Sequence, residues 1–399
     1  MRIAIVLKTF TTNRGGAEVW SSAFVRWLLA QGHEVHVVAS KASSDVQQMG
    51  IRLHLIPTRS SIRFAARCER LLKKLNVDIV HDMGAGWYFD VFQSHVGSLS
   101  QYREALLRLM PASKARRKRF AAVVLPTYWR KNQMMRRQYS DTQDAKFIAL
   151  SKVIADDFER VHGISSGKIE VIPNGVDVTR FSPTPDAEVR RETRRSLGTD
   201  EHSLILLLVA QNHQLKGLPA VIEAVGRLLR QQENIHVAVV GGAPVASHVS
   251  RIEELGITSR VHYTGWADPV PYYQAADIYV HPSHYDACSL GVLEALASGL
   301  PVITSAANGA GELIPQGEAG FVVQDAEDVT SLSEHIATLS DFETRRRMAV
   351  RARQVAERNT LKHNFERIEV VYNQIIDSRG GAKIVSAAVG QERPCRKSA

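Results

Sequence analysis

Two carboxylates with seven residues between them, Asp286 and Glu294, mark the stretch of this sequence best equipped for chemistry. They lie within His281 to Ser305, HPSHYDACSLGVLEALASGLPVITS. Ser289 reads as the N-cap of a short helix, Val292 to Ala297 are mostly strong helix formers, Gly299 suits the left-handed position past its end, and Pro301 forbids continuation. A buried strand, Val302 to Thr304, is expected next. This places Asp286 in the loop before the helix and Glu294 in its second turn, so both can face one ligand. The backbone N–H groups of Cys288, Ser289, Leu290 and Gly291 then stand at the positive end of the helix dipole without intrahelical partners, a ready site for an anion. Phosphate together with hydroxyl groups suits a sugar nucleotide. On spacing alone, a loop aspartate and a solvated helical glutamate explain the pair equally well, and the surrounding elements have to decide.

Those elements alternate. Ile3 to Leu7 reads as a strand, Lys8 to Gly16 as a polar loop, Ala17 to Gln31 as an amphipathic helix and Val35 to Val38 as a second strand, a βαβ opening. Its loop lacks the G-x-G-x-x-G spacing and no acid ends the second strand, which argues against a nicotinamide cofactor. Gly15 and Gly16 still allow backbone to approach a ligand, although a plain turn accounts for them too. Further strands are expected at Ile51 to Ile56, Asp78 to His81, Val91 to Ser94, Phe147 to Leu150 and Ile169 to Ile172. His95 follows the carboxyl end of one of them, where open α/β sheets place ligands. Phe181 to Pro185 and the charged run to Asp200 read as a linker. A second alternation starts at Leu204 to Val209, and Lys216 stands in the loop after that strand, where a cation would meet a diphosphate. Gly241-Gly242 and Glu312 follow later strands of the same series. The fold class is therefore α/β, two doubly wound Rossmann-like domains. The apolar stripe Leu361, Phe365, Ile368, Val371, Tyr372, Ile375 predicts a closing helix that needs a surface to cover, and from Ser378 a loose tail is expected.

Composition narrows the function classes. A chain of 399 residues, 44% hydrophobic and 23% charged, has globular composition and room for two domains. No apolar run approaches the roughly 20 residues of a membrane span. Ile3 to Leu7 reads as a strand rather than a signal peptide, and Cys68, Cys288 and Cys395 are odd in number and scattered, so a cytoplasmic chain without a disulfide framework is expected. The net charge of +9 is uneven: residues 1–199 hold 32 Lys+Arg against 18 Asp+Glu. Within them, Arg103 to Arg137 carries eleven Lys+Arg and one acid, Glu104, interleaved with leucines, methionines, Phe120, Tyr128 and Trp129. Cations beside apolar residues favour an anionic membrane surface, with Arg116, Arg117, Lys118, Arg119, Trp129, Arg130 and Lys131 as its contacts. Pro111 and Pro126 divide the segment. Nucleic acid is the competing partner, because phosphate attraction needs only the cations.

Taken together, Gly15-Gly16-Ala17-Glu18, His95, Pro173-Asn174-Gly175-Val176-Asp177 with Phe181 and Pro183, Lys216-Gly217, and Asp286 to Glu294 with Gly299 and Pro301 resemble the retaining GT-B glycosyltransferases of family 4, within them the lipopolysaccharide-core glucosyltransferase group. The resemblance implies two domains, 1–178 and 179–360, facing a cleft, with 361–378 crossing back to the first and 379–399 as a tail. It implies a hexose moved from a nucleotide sugar, such as UDP-glucose, to a lipid-linked glycan, with retention at the anomeric carbon. Asp286 would lie near the donor sugar hydroxyls, in place of the family's usual glutamate, and Glu294 on the nucleotide ribose. His95 would contact the donor sugar. Lys216, the helix N-terminus and the Gly16 backbone would stabilise the departing diphosphate, with Gly15 and Gly16 on the acceptor side; the loop Gln211 to Lys216 contains no arginine to join the lysine. No cofactor, metal or nucleic acid is expected, and an acidic D-x-D loop is missing from the sequence. Rival readings are a two-carboxylate glycoside hydrolase, a metal site at His281, His284 and Cys288, and a non-catalytic protein that binds nucleotide sugar or nucleic acid.

Overall fold

The computed structural model describes residues 1–12, 15–140, 145–183, 186–229 and 234–389, apart from the side chains of 47, 126–128, 130, 131 and 380–389. Among the described residues the strands are β1 (Arg2–Phe10), β2 (Glu34–Ala42), β3 (Arg52–Leu55), β4 (Ile79–Asp82), β5 (Val91–Gln93), β6 (Lys146–Ala149), β7 (Ile169–Val171), β8 (Leu204–Ala210), β9 (Ile235–Gly241), β10 (Val261–Gly265), β11 (Ile278–His281), β12 (Val302–Ser305) and β13 (Gly320–Val323). They form a seven-stranded parallel sheet, ordered β3-β2-β1-β4-β5-β6-β7, and a six-stranded one, ordered β10-β9-β8-β11-β12-β13. Both orders reverse direction beside the first strand of the sheet, the doubly wound pattern that the alternation of strands and helices predicts.

Two compact units contain these elements. One comprises Met1–Gln93, Gln133–Ile148 and the chain from Phe365 onward; the other comprises Ser94–Asn132 and Ala149–Asn364. In the first, the helix Gly16–Ala30 buries Trp20, Phe24, Val25 and Leu28, one helical face. The helix Leu361–Val389 supplies the other half of that core: Phe365 lies with its ring 5.1 Å from Phe24 and 5.5 Å from Trp20, and Tyr372 donates or accepts at 2.6 Å with buried His81 Nδ1. In the second unit, β8 is buried along nearly its whole length and the helix Leu218–Leu228 packs on the sheet through Leu218, Val221, Ile222, Val225 and Leu228. Gly299 follows the helix Leu290–Ala297 at φ 74°, as expected, and Gly217 precedes the helix Leu218–Leu228 at φ 78°.

Several expectations need correction. Strand β1 continues through Lys8 and Thr9 to Phe10, because the pairing with β2 runs on as far as Phe10 and Ala42, so the polar loop is shorter than its composition suggests. The charged run after Asp186 is a helix, Ala187–Ser196, rather than a linker. Its Arg194, 1% exposed, bonds the Asp277 carboxylate at 2.7 Å and the carbonyls of Ala275, Asp200 and Ser203. A buried guanidinium bonded through all three of its nitrogens is a structural post that an arginine-rich pattern disguises as a solvated face. The expected tail from Ser378 is helical as far as Val389, and 390–399 lie outside the described residues, as do Thr184 and Pro185 of the expected linker. The basic segment is broken at its prolines into Leu99–Arg108, Ala112–Val124 and Pro126–Gln138.

Phe365 is 3% exposed, so Phe365→Ala should leave a cavity against Trp20 and Phe24 and lower stability by about 3–5 kcal/mol, read as a lower urea midpoint with secondary structure intact below it.

Candidate functional site

The site is built on the carboxyl edge of the six-stranded sheet. After β8 the chain turns tightly: Asn212 Oδ1 accepts from Leu215 N–H at 3.1 Å and the Asn212 carbonyl accepts from Lys216 N–H at 3.1 Å. His284 N–H donates to the Leu215 carbonyl at 2.9 Å, tying this turn to the loop after β11. Gly217 faces the Pro282 carbonyl so closely that a Cβ there would overlap it. These contacts aim Lys216 at the second loop, where its Nζ forms an ion pair with Asp286 Oδ2; both side chains are largely but not wholly buried. The sequence placed the two in separate loops, and the structure brings them together.

Asp286 is held through its backbone. Its N–H donates to the Ala307 carbonyl at 3.0 Å and its carbonyl accepts from Gly309 N–H at 2.9 Å, so the carboxylate is left for Lys216 and a ligand. The site helix, Leu290–Ala297, starts at Ser289, whose hydroxyl makes no cap bond but lies 3.3 Å from His281 Nδ1. Ser289 N–H donates to Asn308 Oδ1 at 3.3 Å, and Asn174 donates to the Cys288 carbonyl at 2.8 Å. The N–H groups of Leu290 and Gly291 belong to the first turn, which has no carbonyl of its own helix to bond. A Cβ at Gly291 would collide with the Tyr279 hydroxyl, so glycine is what lets the helix lie this close to the sheet.

Glu294 points at a tyrosine. The Tyr273 hydroxyl donates to Glu294 Oε2 at 2.9 Å, and it also lies 3.1 Å from the Gly291 carbonyl. Desolvation raises the Glu294 carboxyl above its ordinary range; the Tyr273 bond and the Arg180 charge act in the opposite direction. Burial likewise pushes the Cys288 thiol up to about 12, so it stays protonated and is a poor metal ligand or nucleophile. His281, pushed down to about 3 by burial, is neutral, and its Nδ1 faces the hydroxyls of Tyr279 and Ser289. His95 is pushed down to about 4, also by burial. Its loop reaches the site region through Tyr285, whose hydroxyl accepts from Ser98 N–H at 2.8 Å, and Gly97 leaves room for that hydroxyl.

Glu312 and the Gly241-Gly242 pair have structural tasks. Glu312 accepts from Lys152 and Val153 N–H at 2.8 and 2.9 Å and so caps the helix Lys152–His162. At Gly241 and Gly242 the close approach is to the chain itself, the Ala210 and Gln211 carbonyls. Gly15, at φ 78°, is the N-cap of the helix Gly16–Ala30, and both glycines belong to the first unit. Arg116, Arg117, Lys118 and Arg119 are exposed on Ala112–Val124, Arg119 paired with Glu104; Trp129 is 62% exposed and donates to the Val123 carbonyl, and the side chains of Arg130 and Lys131 lie outside those described. Sequence reasoning missed Tyr273, Tyr285, Asn174 and Asn308. Only Asn174 carried a signal, its place in the Pro173 to Asp177 turn.

Comparison with known proteins bears on this arrangement. Residues 14–180 match the family described as Glycosyltransferase Family 4, and residues 189–355 match Glycosyl transferases group 1. A D-inositol 3-phosphate glycosyltransferase of Corynebacterium efficiens is 30% identical over 53% of this chain and 52% of its own; the chain spans about half the length of that relative. A GDP-mannose-dependent phosphatidylinositol monomannoside mannosyltransferase of Mycolicibacterium smegmatis is 27% identical over 84% of this chain and 88% of its own. Among solved structures, WaaG, a glycosyltransferase involved in lipopolysaccharide biosynthesis, superposes with a TM-score of 0.76 at 22% identity, covering 92% of this chain and 98% of that one. Anabaena HepE in complex with UDP and glucose superposes at 0.69 and 18% identity, over 94% and 99%. These structural likenesses establish a shared two-domain fold, GT-B.

His95 and His281 are neutral when folded and take up protons more readily when unfolded, so the unfolded state binds more protons from about pH 6.5 down to about 4 and 3 respectively. Stability should therefore fall as pH is lowered through that window, and His281→Gln should flatten the slope in denaturant titrations at stepped pH.

Proposed function

The chain belongs to the family 4 glycosyltransferases of the GT-B fold, and from that premise we propose that it moves a hexose from a nucleotide sugar to a lipid-linked glycan with retention at the anomeric carbon. The observation that carries the proposal is the meeting of Lys216, Asp286 and the first turn of the site helix at one sheet edge. Lys216 supplies a positive charge and the helix supplies oriented N–H groups, together a cradle for a diphosphate. Glu294, in the second turn of the same helix, would accept from the ribose hydroxyls. In this reading the acceptor oxygen attacks the anomeric carbon on the face from which the diphosphate leaves, the carbon–oxygen bond to the β-phosphate breaks, and the acceptor proton passes to the departing phosphate. No protein nucleophile is needed, and catalysis rests on positioning and on charge stabilisation of the leaving group. His95 stands on the donor sugar and Asp286 on its hydroxyls. Gly15 and Gly16 serve the acceptor side, and no metal takes part.

UDP-glucose is a sensible first donor to try because a fold relative is solved with UDP-glucose, and GDP-mannose the second because a sequence relative depends on it. A lipid-linked acceptor is supported by the phosphatidylinositol-glycan substrate in that relative's name and by the exposed apolar side chains on Ala112–Val124, where Phe120 and Val123 are each 70% exposed beside four consecutive cations. Among the described residues no helix is long and apolar enough to cross a membrane. The chain would instead rest on an anionic surface, where each cation contributes about 1 kcal/mol.

Thermal-shift titration with a panel of nucleotide sugars, with and without anionic vesicles, tests this reading. One donor should stabilise the protein selectively; a flat response to the whole panel would overturn the donor site. Lys216→Ala should then lower transfer about 100-fold to 1,000-fold. Asp286→Ala should reduce transfer more than nucleotide binding, and Glu294→Ala should weaken nucleotide binding itself. Phe120→Asp should release the protein from anionic vesicles in sedimentation without altering donor affinity.

A further inference from the structure

A buried chain of polar side chains runs beneath the site helix, from Glu294 in its second turn to Ser289 at its start. Glu294 Oε2 accepts from Tyr273. The Tyr273 and Tyr279 rings pack together with centroids 5.7 Å apart. The Tyr279 hydroxyl lies 3.2 Å from His281 Nδ1, and the same ring nitrogen lies 3.3 Å from Ser289 Oγ, at the helix start. Both tyrosines are completely buried. A buried tyrosine hydroxyl without a partner is costly, so such groups are kept where their bonds are used. Gly291 is the position that makes the chain possible, since any Cβ there would displace Tyr279.

We propose that Tyr273 is the positioning residue for Glu294: its hydroxyl fixes Oε2 so that Oε1 is presented to a ribose hydroxyl of the donor. The inference rests on the reading of Glu294 as a donor-binding residue. The carboxylate has a short reach and two equivalent oxygens. With Oε2 committed to Tyr273, the remaining rotation that would turn Oε1 away is closed off, and the lone pairs available to a ligand point in one direction. Charge follows from the same bond. Burial favours the protonated carboxyl, which would offer a ligand an O–H where it needs an acceptor, and the Tyr273 hydroxyl counters that by bonding the ionised form. The other charged groups acting on Glu294 are Arg180 and Asp268, which are ion-paired with each other at 3.1 Å and so act in opposite directions. Tyr273 itself is fixed independently of Glu294, by an edge-on contact with the Phe181 ring at 5.6 Å and by the Tyr279 ring. Replacing its hydroxyl alone therefore leaves the packing in place.

The test is calorimetric titration of the purified full chain with UDP and with GDP across pH, for the wild type, Tyr273→Phe, Glu294→Gln and the double variant. Nucleotide affinity of the wild type should fall as pH drops and Glu294 takes up a proton. In Tyr273→Phe the carboxyl loses the bond that favours its charged form, so the same fall should sit about one pH unit higher, and affinity near neutrality should drop about tenfold. In the Glu294→Gln background, Tyr273→Phe should change neither affinity nor profile, because its effect passes through the carboxylate. Wild-type affinity and profile in Tyr273→Phe would overturn the proposal. So would an equal loss on both backgrounds, which is the mark of general packing damage. If Glu294→Gln leaves affinity unaltered, it is the donor-site reading of Glu294 that fails, and the two failures are told apart by that single variant.

Discussion

In a parallel sheet every strand leaves by the same edge, and the second unit depends on that constraint. Lys216 follows β8, Asp286 follows β11 and the Asn308 turn follows β12, so residues separated by 70 and more positions are delivered to one line without any long connection. The same geometry delivers unbonded backbone groups there, because strand ends and helix starts both run out of ladder partners. The structure uses those groups in two ways. The Ala307 carbonyl and Gly309 N–H are spent on the Asp286 backbone, which leaves its carboxylate available, whereas the first turn of Leu290–Ala297 stays uncommitted. An ammonium, a carboxylate and a helix start on one edge have the polarity that a diphosphate with attached hydroxyls requires.

Holding a short apolar helix against that edge raises a second difficulty. The site helix buries Val292, Leu293, Ala295, Leu296 and Ala297, and it carries Glu294 in their midst. A carboxylate there would ordinarily be neutralised by its surroundings. That tendency is opposed by Tyr273 of Val270–Ala275, whose hydroxyl donates to Oε2, while His281, Asn308 and Asn174 hold the start of the helix at Ser289 and Cys288. The Tyr273 hydroxyl replaces part of the lost hydration of Glu294 with a fixed dipole and fixes its direction. The neutral state of His281 fits this arrangement, since an imidazolium beside Lys216 would place two cations in one buried space.

The sequence is readable where chemistry and local structure coincide and silent where they come apart. Gly299, Pro301 and the run from Val292 to Ala297 locate the site helix to within a residue or two, because capping and chain reversal are local properties. Lys216 and Asp286 are legible as candidates, but their ion pair is not, since it joins loops after different strands. Tyr273 and Tyr285 look like ordinary aromatic core residues, and only their hydroxyl partners, far away in sequence, distinguish them. The helix Ala187–Ser196 fails for a different reason. Four of its ten residues are arginine, a pattern typical of a solvated surface, yet Arg194 is buried because Asp277 and three carbonyls await it. At Gly241 and Gly242 the freedom of glycine serves the crowded backbone of the neighbouring strand, at the Ala210 and Gln211 carbonyls.

The first unit shows the same separation between sequence distance and physical dependence. Its aromatic core consists of Trp20 and Phe24 on one side and Phe365 and Tyr372 on the other, and the polar contacts that register the last helix, His33 with Glu369 and His81 with Tyr372, span 336 and 291 positions. Strands β1, β2 and β4 can pair early, since their partners are close in the chain, but one face of their sheet keeps Phe24 and His81 uncovered until the helix from Leu361 is present. Loop closure over hundreds of residues costs only slightly more than over tens, so the long return is thermodynamically cheap. Its consequence is kinetic: contacts of such high separation form late, and the second unit, most of whose residues are contiguous from Ala149 to Asn364, has the opportunity to fold before the first has its complete core.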